Sequence, residues 1–161
     1  MSRATVRQAV YTYLSGKAIA NVLFYPAMPK QSDPVPNSTA LTTGISFPVI
    51  GDQKEDRLGI GKKTITYSVT LEIATFSTQP KGEDAQADCD VIFEAVLDVI
   101  RQDPTLGTSG GSNPVFQAGE GNGMGTPDLN LRQDLPILAS DGSGVHIWAH
   151  LDITALEIIN A

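Results

Sequence analysis

Two long runs of strict alternation constrain this chain more than any other feature. From Lys62 to Thr78, Ile65, Tyr67, Val69, Leu71 and Ile73 fall on one side of an extended backbone, and Thr64, Thr66, Ser68, Thr70 and Glu72 on the other. A period of two with β-branched and aromatic residues specifies a strand that is buried on one face. A second run follows the turn Asp141-Gly142-Ser143-Gly144, where Val145, Ile147, Ala149, Leu151, Ile153 and Ala155 alternate with His146, Trp148, His150, Asp152 and Thr154. The alternation slips at Leu156 and Ile158, which predicts a β-bulge there.

Two amphipathic helices supply the cover that such strands need. Ser2 is placed to cap the first, along which Val6, Ala9, Val10, Tyr13 and Leu14 recur at helical spacing until Gly16 offers a left-handed stop. The second begins after Pro80 and Gly82 with Glu83 and Asp84, whose charges suit the positive end of a helix. Ala85, Cys89, Ile92, Phe93, Val96, Leu97 and Ile100 form its apolar stripe, and Pro104 disfavours helical geometry at Asp103. Short strands are predicted at Asn21–Tyr25 and Gly44–Ile50, and again at Val115–Gln117 and Leu129–Leu131. The fold class is therefore α+β: a mixed, mainly antiparallel sheet of about four or five strands with two helices packed on one face. At 161 residues a single domain, 1–161, is expected. Long loops are expected at 27–61 and 104–144, where glycine and proline concentrate.

The length of the strands has a consequence of its own. A straight strand from Lys62 to Thr78 would extend on the order of 55 Å at ~3.3 Å per residue. A compact domain of this size is only about 40 Å across. Overhanging edges are templates for another chain, so self-association is the expectation, with a curled sheet inside one copy as the alternative.

Charge and composition narrow the function classes. A net charge of −7, with eleven scattered Lys and Arg, disfavours a surface that grips nucleic acid. No apolar run approaches the roughly 20 residues of a membrane-spanning helix, no leader-like segment is recognisable, and no membrane association is expected. The one cysteine, Cys89, excludes an internal disulfide and a cysteine-rich zinc site, and its place on the helix stripe predicts a buried, inert thiol. His146 and His150 are four apart on a strand, hence ~13 Å apart, whereas two histidines four apart share a metal ion only on a helix. Gly142-Ser143-Gly144 has neither the spacing nor the following helix of a nucleophile elbow. The stretch Gly119–Gly125 lacks the residues of a phosphate-binding loop and reads as flexible connection. Carboxylates of the second helix, Asp88 among them, are expected on a solvated face. No catalytic, cofactor-binding or metal residues are assigned and no enzyme activity is expected. Phe76, His146, Trp148 and His150 are the candidate subunit-interface residues, since large aromatics often anchor interfaces.

The order of elements, with the phrase Val22-Leu23-Phe24-Tyr25-Pro26-Ala27 and the helix end Ile100-Arg101-Gln102-Asp103-Pro104-Thr105-Leu106-Gly107, resembles the tail terminator family of long-tailed phages, including the lambda-like minor tail protein U group. The resemblance covers most of the chain outside the two long loops. It implies a structural virion protein at the head-proximal end of the tail, assembled in the host cytoplasm. Such a protein closes into a hexameric ring, caps the tail tube, ends its polymerisation and offers the head-tail joining surface. The implied partners are further copies of the chain, the major tail tube protein and a neck or head-closure protein, with no cofactor. DNA would pass through the lumen without specific binding, in keeping with an acidic chain. A head-closure or neck adaptor is the alternative in the same class. A small hydrolase using Glu120, Asp128 or His150, and a monomeric binding module using the Lys30–Thr43 loop, are the alternatives from other classes.

Overall fold

Odd-numbered residues of the first long strand are buried from Ile65 to Ser77 and even-numbered ones are not, so the sheet has one core face. The computed structural model describes residues 2–30, 40–59, 61–108, 114–118 and 129–160. The elements run α1 (Arg3–Ser15), β1 (Val22–Phe24), β2 (Thr42–Gly59), β3 (Lys62–Ser77), α2 (Gly82–Gln102), β4 (Val115–Ala118), β5 (Leu131–Gln133), β6 (Ile137–Leu138) and β7 (Val145–Asn160). Strand order is β1-β2-β3-β7-β4, with β5 and β6 also paired to β7. Among the described strands β1 and β2 alone are parallel, and the other pairs are antiparallel. This is the mixed, mainly antiparallel α+β sheet that the periodicity predicts.

Local chemistry explains the helices. The Ser2 hydroxyl accepts the Thr5 backbone N–H at 3.3 Å, satisfying one of the donors left open at the start of α1. Val6, Val10 and Leu14 are buried at one-turn intervals. Gly16 does not provide the predicted left-handed stop. It stays right-handed at φ −71°, while the Lys17 N–H closes the last turn on the Leu14 carbonyl; positive φ falls later, at Ala18 and Asn21. All seven stripe residues of α2 are buried. The α2 end is held by Asp103, whose carboxylate accepts the Thr105 hydroxyl at 2.6 Å and the backbone N–H groups of Thr105 and Gly107. Those donors, the Thr105 hydroxyl foremost, hold its pKa below the ordinary carboxylate value.

Three expectations are corrected. Within the region 27–61 expected to be loop, residues 42–59 form a strand that pairs with β3 over nearly its whole length. The charged stretch Asp52–Arg57 carries no alternation because both of its faces lie in solvent. Main-chain pairing and the cross-strand ion pair of Lys63 with Glu55, at 2.9 Å, hold it extended. Likewise 104–144 is not all loop: β4, β5 and β6 lie end to end along the outer edge of β7. Finally, β7 runs from Val145 to Asn160 in unbroken register with β3, and the irregularities sit in β2, at Ile50/Gln53 and Arg57/Gly59. Leu156 and Ile158 are simply on the exposed face, and Glu157 takes the buried position.

Glu157 is tolerated there because the Tyr67 hydroxyl donates to its carboxylate at 2.9 Å within the core. Burial foremost, and this carboxylate second, push the Tyr67 hydroxyl up to about 12. The long strands also find most of their partners within one copy. β3 is paired on both edges inside one copy, and β7 is paired by β4–β6 between Val145 and Leu156. The longest stretch of edge that no strand among the described residues covers is that of β2 beyond Ser46; the outer edge of β7 past Leu156 is also left open by the described strands. The predicted loop at 30–43 and the glycine-rich segment 119–125 fall largely or wholly outside the described residues.

Two substitutions test this arrangement. A Cβ on Gly144 would stand 2.2 Å from the Ser77 carbonyl oxygen and 2.7 Å from the Phe76 ring. Gly144→Ala is expected to lower unfolding stability by roughly 2–3 kcal/mol in urea titration, in the range of overpacked sites. Tyr67 contributes stability that is intact below its unfolded value of 10 and is lost as pH climbs through about 12. Tyr67→Phe is expected to flatten the alkaline limb of the stability curve and to cost about 1–3 kcal/mol at neutral pH, because Glu157 loses a buried donor.

Candidate functional site

With both helices on the odd-residue face of β3 and β7, the other face of the sheet has no helix against it among the described residues. Cross-strand register brings its side chains into rows: Thr43, Phe76 and His146; Ile45, Ala74 and Trp148; Phe47, Glu72 and His150; Val49, Thr70 and Asp152. The first two rows, with Leu41, line a groove of about 560 Å³. Its lining is mainly apolar and includes Thr43 and Thr78, the latter's hydroxyl donating to the Leu41 carbonyl at 3.1 Å. The Phe76 and His146 rings lie 4.5 Å apart, tilted by 33°. Trp148 meets Phe47 edge to face, with centroids 6.4 Å apart at 87°. Phe47 is only 3% exposed although it stands outside the main core cluster, so the face has a small apolar centre of its own.

His150 closes the third row differently. Its Nδ1 lies 2.6 Å from a Glu72 carboxylate oxygen and its Nε2 lies 3.0 Å from an Asp134 carboxylate oxygen. Burial opposes a charge on the ring. The hydrogen bond to Asp134 and the negative charge of Glu72 outweigh it, so the pKa is raised above the ordinary imidazole value. Neither ring nitrogen is left to act as a base toward a substrate. Beyond it, Asp152 accepts the Thr70 hydroxyl at 3.1 Å and faces Arg132 at 3.4 Å. The segment that carries Arg132 and Asp134 continues through Leu135, Ile137 and Leu138, which are 85%, 60% and 76% exposed. Ile137 and Leu138 pair with His146 and Val145, so this exposed apolar segment borders the groove along β7.

A second groove, of about 420 Å³, lies between α2 and residues 19–21 and 40–42. Asp88 stands at its edge and accepts the Thr42 hydroxyl at 3.2 Å and the Gln79 amide at 2.9 Å. Of the helix carboxylates expected on a solvated face, Asp88 and Asp90 are half-buried and the others exposed; at Asp88 the start of β2 supplies the Thr42 hydroxyl. Cys89 is fully buried, and burial pushes its thiol up, so it is a poor nucleophile.

The structure thus places Phe76, His146, Trp148 and His150 on one face, with the first three around the groove and His150 held apart by carboxylates. Sequence reasoning missed Phe47, Glu72 and Asp134. Glu72 shows its face by alternation, but its pairing with His150 follows from strand register, and Asp134 reaches the ring from a segment with no periodicity. Glu120 and Asp128, the other residues considered for a hydrolase, lie outside the described residues. Among the described residues no group of three His, Cys, Asp or Glu side chains is disposed to hold a metal ion. Comparison with protein-family models and with curated proteins returns no match to this chain.

The single tryptophan reports on this face directly. Trp148 is half-buried beside Phe47, so occupation of the groove by any apolar partner is expected to shift its emission to the blue. Titration of the chain against itself, followed by fluorescence, measures this; an emission maximum that is constant over a thousandfold concentration range argues against burial of Trp148 between copies.

Proposed function

We propose that this chain is a structural subunit of a phage tail, a tail terminator whose copies close into a ring, cap the tail tube, stop its growth and present the surface to which the neck joins. The observation that carries this reading is the helix-free sheet face, where Phe76, His146 and Trp148 surround an apolar groove beside the exposed Leu135, Ile137 and Leu138. A monomer that is complete by itself rarely leaves large apolar side chains gathered around one strand. Ring closure requires a heterologous interface, in which one patch meets a different patch on the next copy. The groove and the 135–138 segment are two such unlike patches. The edge of β2 beyond Ser46 is a further surface for main-chain pairing, with its charged residues restricting which strand it accepts. The sequence resemblance gives the order of elements; the sheet supplies surfaces that fit an assembling subunit.

Native mass spectrometry is expected to show a closed oligomer of six copies. Trp148→Asp is expected to shift the population to monomer by at least ~10-fold in dissociation constant, since central aromatic residues commonly contribute 2 kcal/mol or more, with the circular dichroism spectrum unchanged. A chain that stays monomeric at high concentration overturns the reading. Electron microscopy of lysates lacking the protein separates the two assembly roles: overlong tails follow from loss of a terminator, and tails of normal length with leaking heads follow from loss of a neck adaptor.

A further inference from the structure

The His150 side chain joins three separate parts of the sheet: its own strand β7, the central strand β3 through Glu72, and the segment after β5 through Asp134. The geometry fixes its charge. A neutral imidazole has one N–H and one lone pair, so a neutral ring would turn a lone pair toward a carboxylate oxygen at 2.6 or 3.0 Å. Both contacts are attractive only when both nitrogens carry protons. We infer that residues 131–138 form a pH-dependent latch, closed on β7 while the His150 ring is an imidazolium and loosened when the ring gives up its proton.

The two contacts differ in which one yields. The Glu72 side chain is 17% exposed and projects from the middle of β3, between two paired strands. The Asp134 side chain is 61% exposed, on a segment that is otherwise held by the short β5 and β6 pairings and by the Asp134 N–H on the Trp148 carbonyl. Loss of the proton therefore releases Asp134 and keeps Glu72.

The remaining groups around the ring do not replace the lost attraction. From β7, Asp152 is engaged by Thr70 and lies near Arg132, and His146 stacks on Phe76. From β5, Arg132 is directed to Asp152. β2 contributes Phe47, which has no charge, opposite Glu72. The raised pKa of His150 agrees in sign. Stabilisation from a group of this kind is complete below the unfolded imidazole value of 6.5 and fades as pH rises through the higher folded value. The latched segment bears the exposed Leu135, Ile137 and Leu138 and covers the outer edge of β7 between Val145 and Leu151. Opening therefore alters both an apolar surface and a strand edge at once.

Amide hydrogen exchange resolved by residue, with the intrinsic pH dependence removed, tests the latch on the intact chain. Protection at residues 131–138 is expected to fall by about tenfold as pH rises through the His150 transition, the loss of one charge-assisted hydrogen bond. Protection in α2 is expected to stay constant. His150→Gln, which keeps a donor but not a charge, is expected to erase the pH dependence and leave the segment loosened at every pH. Asp134→Asn is expected to lower the His150 pKa, read from its ring proton shifts in NMR, and to weaken protection on the acidic side. Unchanged protection in the wild type across the transition overturns the inference, as does a pH dependence that persists in His150→Gln.

Discussion

Everything else in the structure hangs on the pairing of β3 with β7, which runs from Lys62 opposite Asn160 to Ser77 opposite Val145 without a break. Because side chains alternate with a period of two, a slip of one residue would turn the apolar side chains of one strand to the face opposite those of its partner. The uninterrupted register keeps Tyr67, Leu71, Ile73, Ile147 and Leu151 under the helices, and Phe76, His146, Trp148 and His150 on the opposite side. The core and the candidate site are thus two consequences of one ladder. The same ladder explains the buried Glu157: keeping phase places a carboxylate inward near the end of β7, and Tyr67 supplies its hydroxyl donor there.

The helices and short strands divide the labour around that ladder. α2 lies on the core face across β2, β3 and β7 and carries the larger apolar stripe, while α1 covers β1 and β2. On the far side, β4, β5 and β6 pair with successive stretches of β7 up to Leu156, so the chain itself covers most of that strand's outer edge. β2 is treated differently. β1 pairs it only at Gly44–Ser46, and beyond that the edge continues into a charged hairpin with Lys54, Glu55 and Asp56 in ion pairs. A covered edge on one side and a charged, uncovered edge on the other give the sheet a direction, which suits a subunit that meets its neighbours through unlike surfaces.

On the helix-free face the energetics are of two kinds. Around Phe47, Phe76 and Trp148 the attraction is apolar and indifferent to pH. At His150 it is ionic, partly shielded from water, and conditional on one proton. The two kinds adjoin along β7, so a proton lost at position 150 is felt at the segment that borders the groove.

The sequence by itself determined both helices, the two long strands, the buried stripe of α2 and the placing of His146, Trp148 and His150 on the face of their strand opposite the apolar one. These rest on short-range periodicity, which burial on one face imposes directly on the order of residues. It did not reveal β2 beyond Ile50, because a hairpin solvated on both faces selects no alternation. Nor did it reveal β6 or the continuity of β7 through Glu157, where a tyrosine ninety residues away decides what the interior accepts. Which residues touch across the face was left to tertiary structure as well. Glu72, His150 and Asp134 meet only because register and chain return bring three distant segments together, and no local pattern encodes a distance between segments.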